Sequence, residues 1–167
     1  TNLIGETGKK IHTARSRNDQ VITDVRLWMK ESITIILENI LTLQSNLINL
    51  AEDHIETAMP GYTHLQRAQP ISFAFHLLAY IEKFERDKKR FSFALSEADE
   101  CTLGSGALAG STIELDRKMT AEELGFSRIS NNALDSVSNR DFILDFLHAS
   151  NLAMMHFSRL CEELILW

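Results

Sequence analysis

Proline and glycine divide this chain into three long uninterrupted stretches. Residues 9–59, 71–103 and 126–167 contain neither residue. With few alternating β-branched positions between them, they predict three long helices. The first runs from about Asp19 to about Glu56. Its apolar residues Ile36, Ile40, Leu43, Leu47 and Leu50 step by four and three, and Ile33, Leu37 and Leu41 form a second stripe beside them. Apolar positions over so broad an arc predict a helix packed against several neighbours, as in an all-α, long-helix bundle. At 1.5 Å per residue it would run roughly 50 Å, a length that suits large helical assemblies.

The second helix is expected to begin near Pro70, because proline is favoured at the first helical position, and to continue through HLLAYIEKFERDKKRFSFALSEADE with a solvated, charged middle. The third is expected from about Arg140 to Trp167, with Phe142, Phe146 and Leu147 starting its apolar face. Between them, residues 103–139 read as loop with one or two short helices. Thr120 and Glu123 have the spacing of a capping box, and Gly125 is the expected stop. The helical aromatics Phe73, Phe75, Phe84 and Phe146 are expected in the core.

Length, charge and cysteines narrow the class. The chain has 167 residues, 44% hydrophobic and 24% charged, which fits a soluble globular protein with a real core. Its net charge of -6 argues against non-specific nucleic-acid binding. Cys101 and Cys161 form no motif and are expected as free thiols in a reducing compartment, the cytoplasm. No apolar run reads as long enough to span a membrane, and no signal segment opens the chain. Residue 1 is Thr, and Trp167 closes a helical pattern without a cap, so the chain is expected to be a fragment of a longer protein.

Three polar constellations stand at the expected helix junctions. Ser16-Arg17-Asn18-Asp19 fits a capping box. Capping explains Ser16 and Asp19 but not Arg17, which is unfavourable beside the positive end of a helix unless an anion is there. Tyr62, Thr63, His64, Gln66, Arg67 and Gln69 crowd between Gly61 and Pro70, where a turn needs only the glycine and the proline. His64 is a candidate proton carrier or donor to an anion; the plainer reading is a histidine satisfied in a helix junction. Ser138 and Asp141 again have capping-box spacing, with Arg140 in the first turn. Two arginines at helix starts could clamp a substrate with two or more carboxylates; the plainer reading, which the spacing alone favours, is a solvated helix start. Gly104, Gly106 and Gly110 lack the Lys-Ser/Thr of a phosphate loop and read as a tight turn. His12, His54, His76, His148 and His156 show no metal-binding pair, so no metal is expected.

Together these strings resemble the argininosuccinate lyases of the fumarase/aspartase superfamily. HTARSRNDQV (12–21) is similar to the family's first conserved region and GYTHLQRAQP (61–70) to its second, while LGSGALAG (103–110) and SVSNRDF (136–142) match its style. The resemblance covers essentially the whole chain, and the SRNDQ string points to the argininosuccinate branch. It implies that residues 1–167 are part of the central helical domain, with the N-terminal domain and the C-terminal part absent. It implies a β-elimination that splits argininosuccinate into arginine and fumarate in arginine biosynthesis, with no cofactor or metal. Arg17, Asn18, Thr63, Gln66 and Arg140 are then the substrate-binding residues, and His64 and Thr63 the catalytic ones. It also implies a cytoplasmic homotetramer whose sites are shared between subunits. Two departures stand out. The third conserved region, a mobile loop of pattern SSxMPQKKNP carrying the serine regarded as the base, is absent, so the fragment alone is expected to be inactive. Asn139 stands where the family more often has an acidic residue. The alternatives are a crystallin-like structural relative and a lyase acting on another succinyl adduct.

Overall fold

The computed structural model describes residues 3–167, and the chain is built mainly of helices. After a 3-10 helix, Gly5–His12, comes α1, Arg17–Asp53. A hairpin of β1, Ala58–Thr63, and β2, Gln66–Ser72, leads into α2, Phe73–Ala98. Then follow β3, Glu100–Cys101, α3, Arg117–Glu123, β4, Arg128–Ile129, α4, Ala133–Ser138, and α5, Asp141–Leu166. β3 and β4 pair in parallel. The three long helices expected from the sequence are all present, and the all-α class holds despite the two small sheets.

The chain divides into two compact units. One comprises the residues up to Ser32 together with Leu95–Leu144; the other comprises Ile33–Ala94 and Asp145–Trp167. In the first, Cys101, Ala121 and Phe126 form a buried cluster with Leu27, Leu103 and Leu124 against it. Arg26 is fully buried there, its guanidinium 4.2 Å from the centre of the Phe142 ring and donating to the Glu97 carbonyl at 2.7 Å. Burial lowers its pKa, against an opposing effect from Glu100. In the second unit, Ile33, Ile40 and Leu47 of α1, Leu77, Tyr80 and Phe84 of α2, and Ala149, Ala153 and Leu160 of α5 are buried. Phe84 meets Phe157 at 4.9 Å between ring centres, and Gln44 donates to the Ile81 carbonyl at 3.2 Å.

Several local expectations are corrected. α2 begins at Phe73, not Pro70. Pro70 lies in β2 opposite Pro60, where neither residue can donate a ladder bond, and the Ser72 hydroxyl accepts the Phe75 N–H at 3.1 Å as the cap. α3 is capped by Asp116, whose Oδ1 accepts from Met119 N at 2.8 Å, and the Thr120 hydroxyl instead donates back to the Asp116 carbonyl. Gly125 does end it, at φ +72, with Phe126 N donating to the Ala121 carbonyl and Gly125 N to that of Glu122, a Schellman motif. At the start of α5 the Asp141 N–H donates to the Asn139 side chain at 2.9 Å, while Ser138 bonds back into α4. The charged middle of α2 is not uniformly wet: Asp87 is fully buried, taken by His156 Nδ1 at 2.6 Å and Arg90 Nη1 at 3.1 Å.

Some positions expected in the core are exposed. Phe75 is 64% exposed, and Leu41, Leu50 and Leu147 also face outward, whereas Phe84 is buried and Phe73 and Phe146 are half-buried. Their helical spacing is right, but one chain supplies no neighbour on those faces. α1 is also long and apolar enough, by length and composition, to cross a membrane, contrary to the reading of the sequence. A core helix of a soluble protein meets the same test, and α1 carries the buried, hydrogen-bonded polar side chains of Asp19, Arg26 and Gln44.

Candidate functional site

The start of α1 is built as a reciprocal cap. The Ser16 hydroxyl accepts the Asn18 N–H at 3.2 Å, and Asp19 Oδ1 accepts the Ser16 N–H at 3.0 Å. Asp19 does more than cap. It has no exposed surface, and its Oδ2 accepts from Gly104 N at 3.0 Å and Gly106 N at 2.9 Å. Asn18 Nδ2 donates to the Ala107 carbonyl at 2.9 Å. The helix start and the 103–110 loop are thus one assembly. The loop can receive the carboxylate because Gly104 and Gly106 have φ of +93 and +62. A Cβ at Gly106 would collide with the Gly110 carbonyl oxygen.

Arg117 buttresses the same loop, a role the sequence did not suggest. Its Nη2 donates to the Ser130 hydroxyl at 2.7 Å, its Nη1 to the Ser130 carbonyl at 3.1 Å and its Nε to the Leu103 carbonyl at 3.4 Å. These contacts join residues 13 and 14 positions apart, which no helical or strand spacing reveals. Arg15, Gly104 and Arg117 line a cavity of about 200 Å³ here. Arg17 stands exposed at the first position of α1. Arg140, in the same unit, is exposed between α4 and α5, with its Nη1 on the Asn139 carbonyl at 2.8 Å and that of Val137 at 3.2 Å.

The second constellation is the β1–β2 hairpin. Thr63 pairs with Gln66, so His64 and Leu65 alone form the turn. The turn therefore lies at neither Gly61 nor Pro70. Gly61 sits at an irregularity in the ladder, where an added Cβ would meet the Gln69 carbonyl at 2.9 Å. His64 and Leu65 have φ of +53 and +59, the left-handed pair of a two-residue hairpin turn that normally favours Asn-Gly. For two residues with side chains this costs about 1–2 kcal/mol each. Such strain persists where the surroundings over-determine it, commonly at functional sites. It holds the His64 imidazole, exposed, at the hairpin tip with Thr63 and Gln66 on either side.

The six expected site residues thus fall into two groups: Arg17, Asn18 and Arg140 in one compact unit, Thr63, His64 and Gln66 in the other. In the first group Arg17 and Arg140 are exposed cations while the Asn18 amide is held by the Ala107 carbonyl; in the second Thr63, His64 and Gln66 are all exposed. Beside Thr63 lies a cavity of about 270 Å³ that His76, Glu163 and Trp167 also line. None of these three was a site candidate in the sequence, although His76 and Glu163 each have an aromatic partner four residues on, at Tyr80 and Trp167, the spacing of one helix face.

Comparison with known proteins agrees with this architecture. The chain is 55% identical to an argininosuccinate lyase of Moorella thermoacetica over all of its length and 58% identical to one of Bacillus pumilus over 98% of it. It spans 36% of the length of each of these relatives. An EDDS lyase variant solved with bound fumarate superposes with a TM-score of 0.96 at 28% identity, covering 99% of this chain and 33% of that one. A lyase family model (Lyase_1) matches residues 1–167, and the chain belongs to that family.

Proposed function

We propose that this chain is part of the central helical domain of an argininosuccinate lyase, and that the whole enzyme splits argininosuccinate into arginine and fumarate in arginine biosynthesis. The observation that carries the reading is identity of 55–58% to curated argininosuccinate lyases across the chain, twice that to the EDDS lyase variant. In this reaction a base removes the proton from the carbon beside a carboxylate. The electron pair is held briefly as an aci-carboxylate dianion, then forms the double bond of fumarate as the C–N bond breaks. An acid returns a proton to the departing guanidino nitrogen.

The developing dianion needs fixed donors aimed at its oxygens. Arg17, Asn18 and Thr63 are assigned to the substrate carboxylates, with Gln66 and Arg140 supporting them. His64 is assigned to proton transfer or carboxylate binding from its strained turn, with Thr63 beside it. The resemblance assigns the base to a serine of the third conserved region, so residues 1–167 alone should release no fumarate. Robust turnover by that segment would overturn this assignment.

The enzyme is read as a cytoplasmic homotetramer with sites shared between subunits. Supporting this are the free thiols of Cys101 and Cys161 and the exposed apolar side chains along the long helices, among them Trp28, Ile35, Phe75, Leu144 and Met154. Helices of other subunits would cover these faces. Sedimentation of the full-length protein tests the assembly, and a monomer would refute it. The test of the activity is fumarate release by the full-length protein, offered argininosuccinate and adenylosuccinate separately. Release from argininosuccinate alone supports the reading. Release from adenylosuccinate alone favours a lyase of another succinyl adduct, and release from neither favours a crystallin-like structural relative.

A further inference from the structure

We infer that Glu163 of α5 and Trp167, which follows that helix, form a clasp on Tyr62 and His76, and that Glu163 and Trp167 are positioning residues for the His64 hairpin. The inference rests on the reading of Thr63 and His64 as site residues. The hairpin tip is strained, yet it has no burial of its own to hold it: Leu65 is 77% exposed. A restraint must come from the hairpin's flank. Tyr62, two residues before His64, stacks against the Trp167 indole with ring centres 6.0 Å apart and planes 27° apart. The same indole meets the His76 imidazole edge-on at 4.3 Å.

Trp167 is in turn seated by the last turn of α5, which it follows. Glu163 stands one turn before it, with Oε2 3.1 Å from His76 Nε2 and accepting the hydroxyl of Tyr80. Tyr80 is fully buried and one turn beyond His76 on α2, with the Lys83 ammonium 3.6 Å from its ring centre. Glu163 and Trp167 therefore interlock with His76 and Tyr80, and Tyr62 rests on the Trp167 ring. Thr63 and Tyr62 line one cavity together with His76, Glu163 and Trp167. Fixing Tyr62 fixes the start of the tight turn, so His64 and Thr63 inherit their placement from α5. Aromatic pairs of this kind add to what their buried area alone provides.

The test uses the full-length enzyme carrying Trp167→Ala, Trp167→Phe, Glu163→Ala or Glu163→Gln. Hydrogen exchange across residues 58–72 and steady-state kinetics with argininosuccinate are measured together. Trp167→Ala should speed exchange in that segment about tenfold or more, with exchange in α1 unchanged. It should also lower kcat by about 10–100-fold, the scale of a small displacement of a reacting group. Trp167→Phe keeps a stacking ring and should return both within about threefold of wild type. Glu163→Gln keeps an acceptor for Tyr80 and should retain more activity than Glu163→Ala. Unchanged exchange in Trp167→Ala, faster exchange with unaltered kcat, or failure of the Phe variant to rescue would each overturn the inference. If the wild-type enzyme itself releases no fumarate from argininosuccinate, the functional reading falls, and the exchange data still decide whether the clasp holds the hairpin.

Discussion

Replacing Asp19 by Asn removes a single charge and no volume, and it should nevertheless be among the costlier substitutions in the chain. The carboxylate is wholly buried and accepts three backbone N–H groups: Ser16 at 3.0 Å on one oxygen, Gly104 at 3.0 Å and Gly106 at 2.9 Å on the other. An amide has one oxygen. Its better placement keeps the two glycine bonds and turns the NH2 toward the Ser16 N–H, so two donors face each other in a buried site. Losing that bond costs about 1.5–3 kcal/mol, and the remaining two fall from charge-assisted to neutral strength, about half. Together this comes to about 3–6 kcal/mol. At about 2–4 °C per kcal/mol for a domain of about this size, Tm should fall by about 6–24 °C. Heat and urea unfolding of full-length wild type and Asp19→Asn, followed by circular dichroism, would measure it. A loss below about 1 kcal/mol, which is less than the single Ser16 bond is worth, would refute the account.

Other outcomes follow from single contacts. Gly106→Ala places a methyl against the Gly110 carbonyl at a φ of +62, and should destabilise by about 2 kcal/mol or more in urea unfolding. Leu65→Gly relieves left-handed strain at a largely exposed turn position and should stabilise by about 1 kcal/mol; a loss of stability would show that the Leu65 side chain, not the turn, is what matters. Phe84→Ala empties a fully buried ring site and should cost about 3–5 kcal/mol by the same measurement. Burial pushes the Asp99 pKa up, but hydrogen bonds from Lys30 and Ser127 outweigh it and hold it below its ordinary value of 3.8. The folded form therefore binds the proton less readily than the unfolded one, so its stabilising contribution is full above pH 3.8 and is lost as pH falls through the folded value. Urea midpoints of wild type and Asp99→Asn should differ at pH 7 and draw together at the acid end; a gap that stays constant with pH would contradict this.

What the sequence determined by itself is whatever depends on neighbours a few residues away. The helical stretches were legible because their spacing and their freedom from Pro and Gly act within a turn or two. The Ser16–Asp19 cap and the Gly125 stop were legible because each is closed within a few residues. The polar strings that carry the candidate site were legible as compositions, and their resemblance to a known family supplied the chemistry. The tertiary structure decided what depends on distant partners. Pro70 suits a first helical turn or an edge strand equally well, and its pairing with Pro60 made it a strand residue. Asp87 looked solvated within a charged run until His156 and Arg90 enclosed it. Asp19 looked like an ordinary cap until two glycines more than 80 positions away brought their N–H groups to its second oxygen. Leu41 and Leu147 carry the spacing of core residues and remain exposed, because periodicity tells which face is apolar and only packing tells what covers it. The strain at His64 is invisible in the sequence for the same reason: a residue adopts an unfavourable backbone only when contacts from elsewhere in the fold outweigh its own preference.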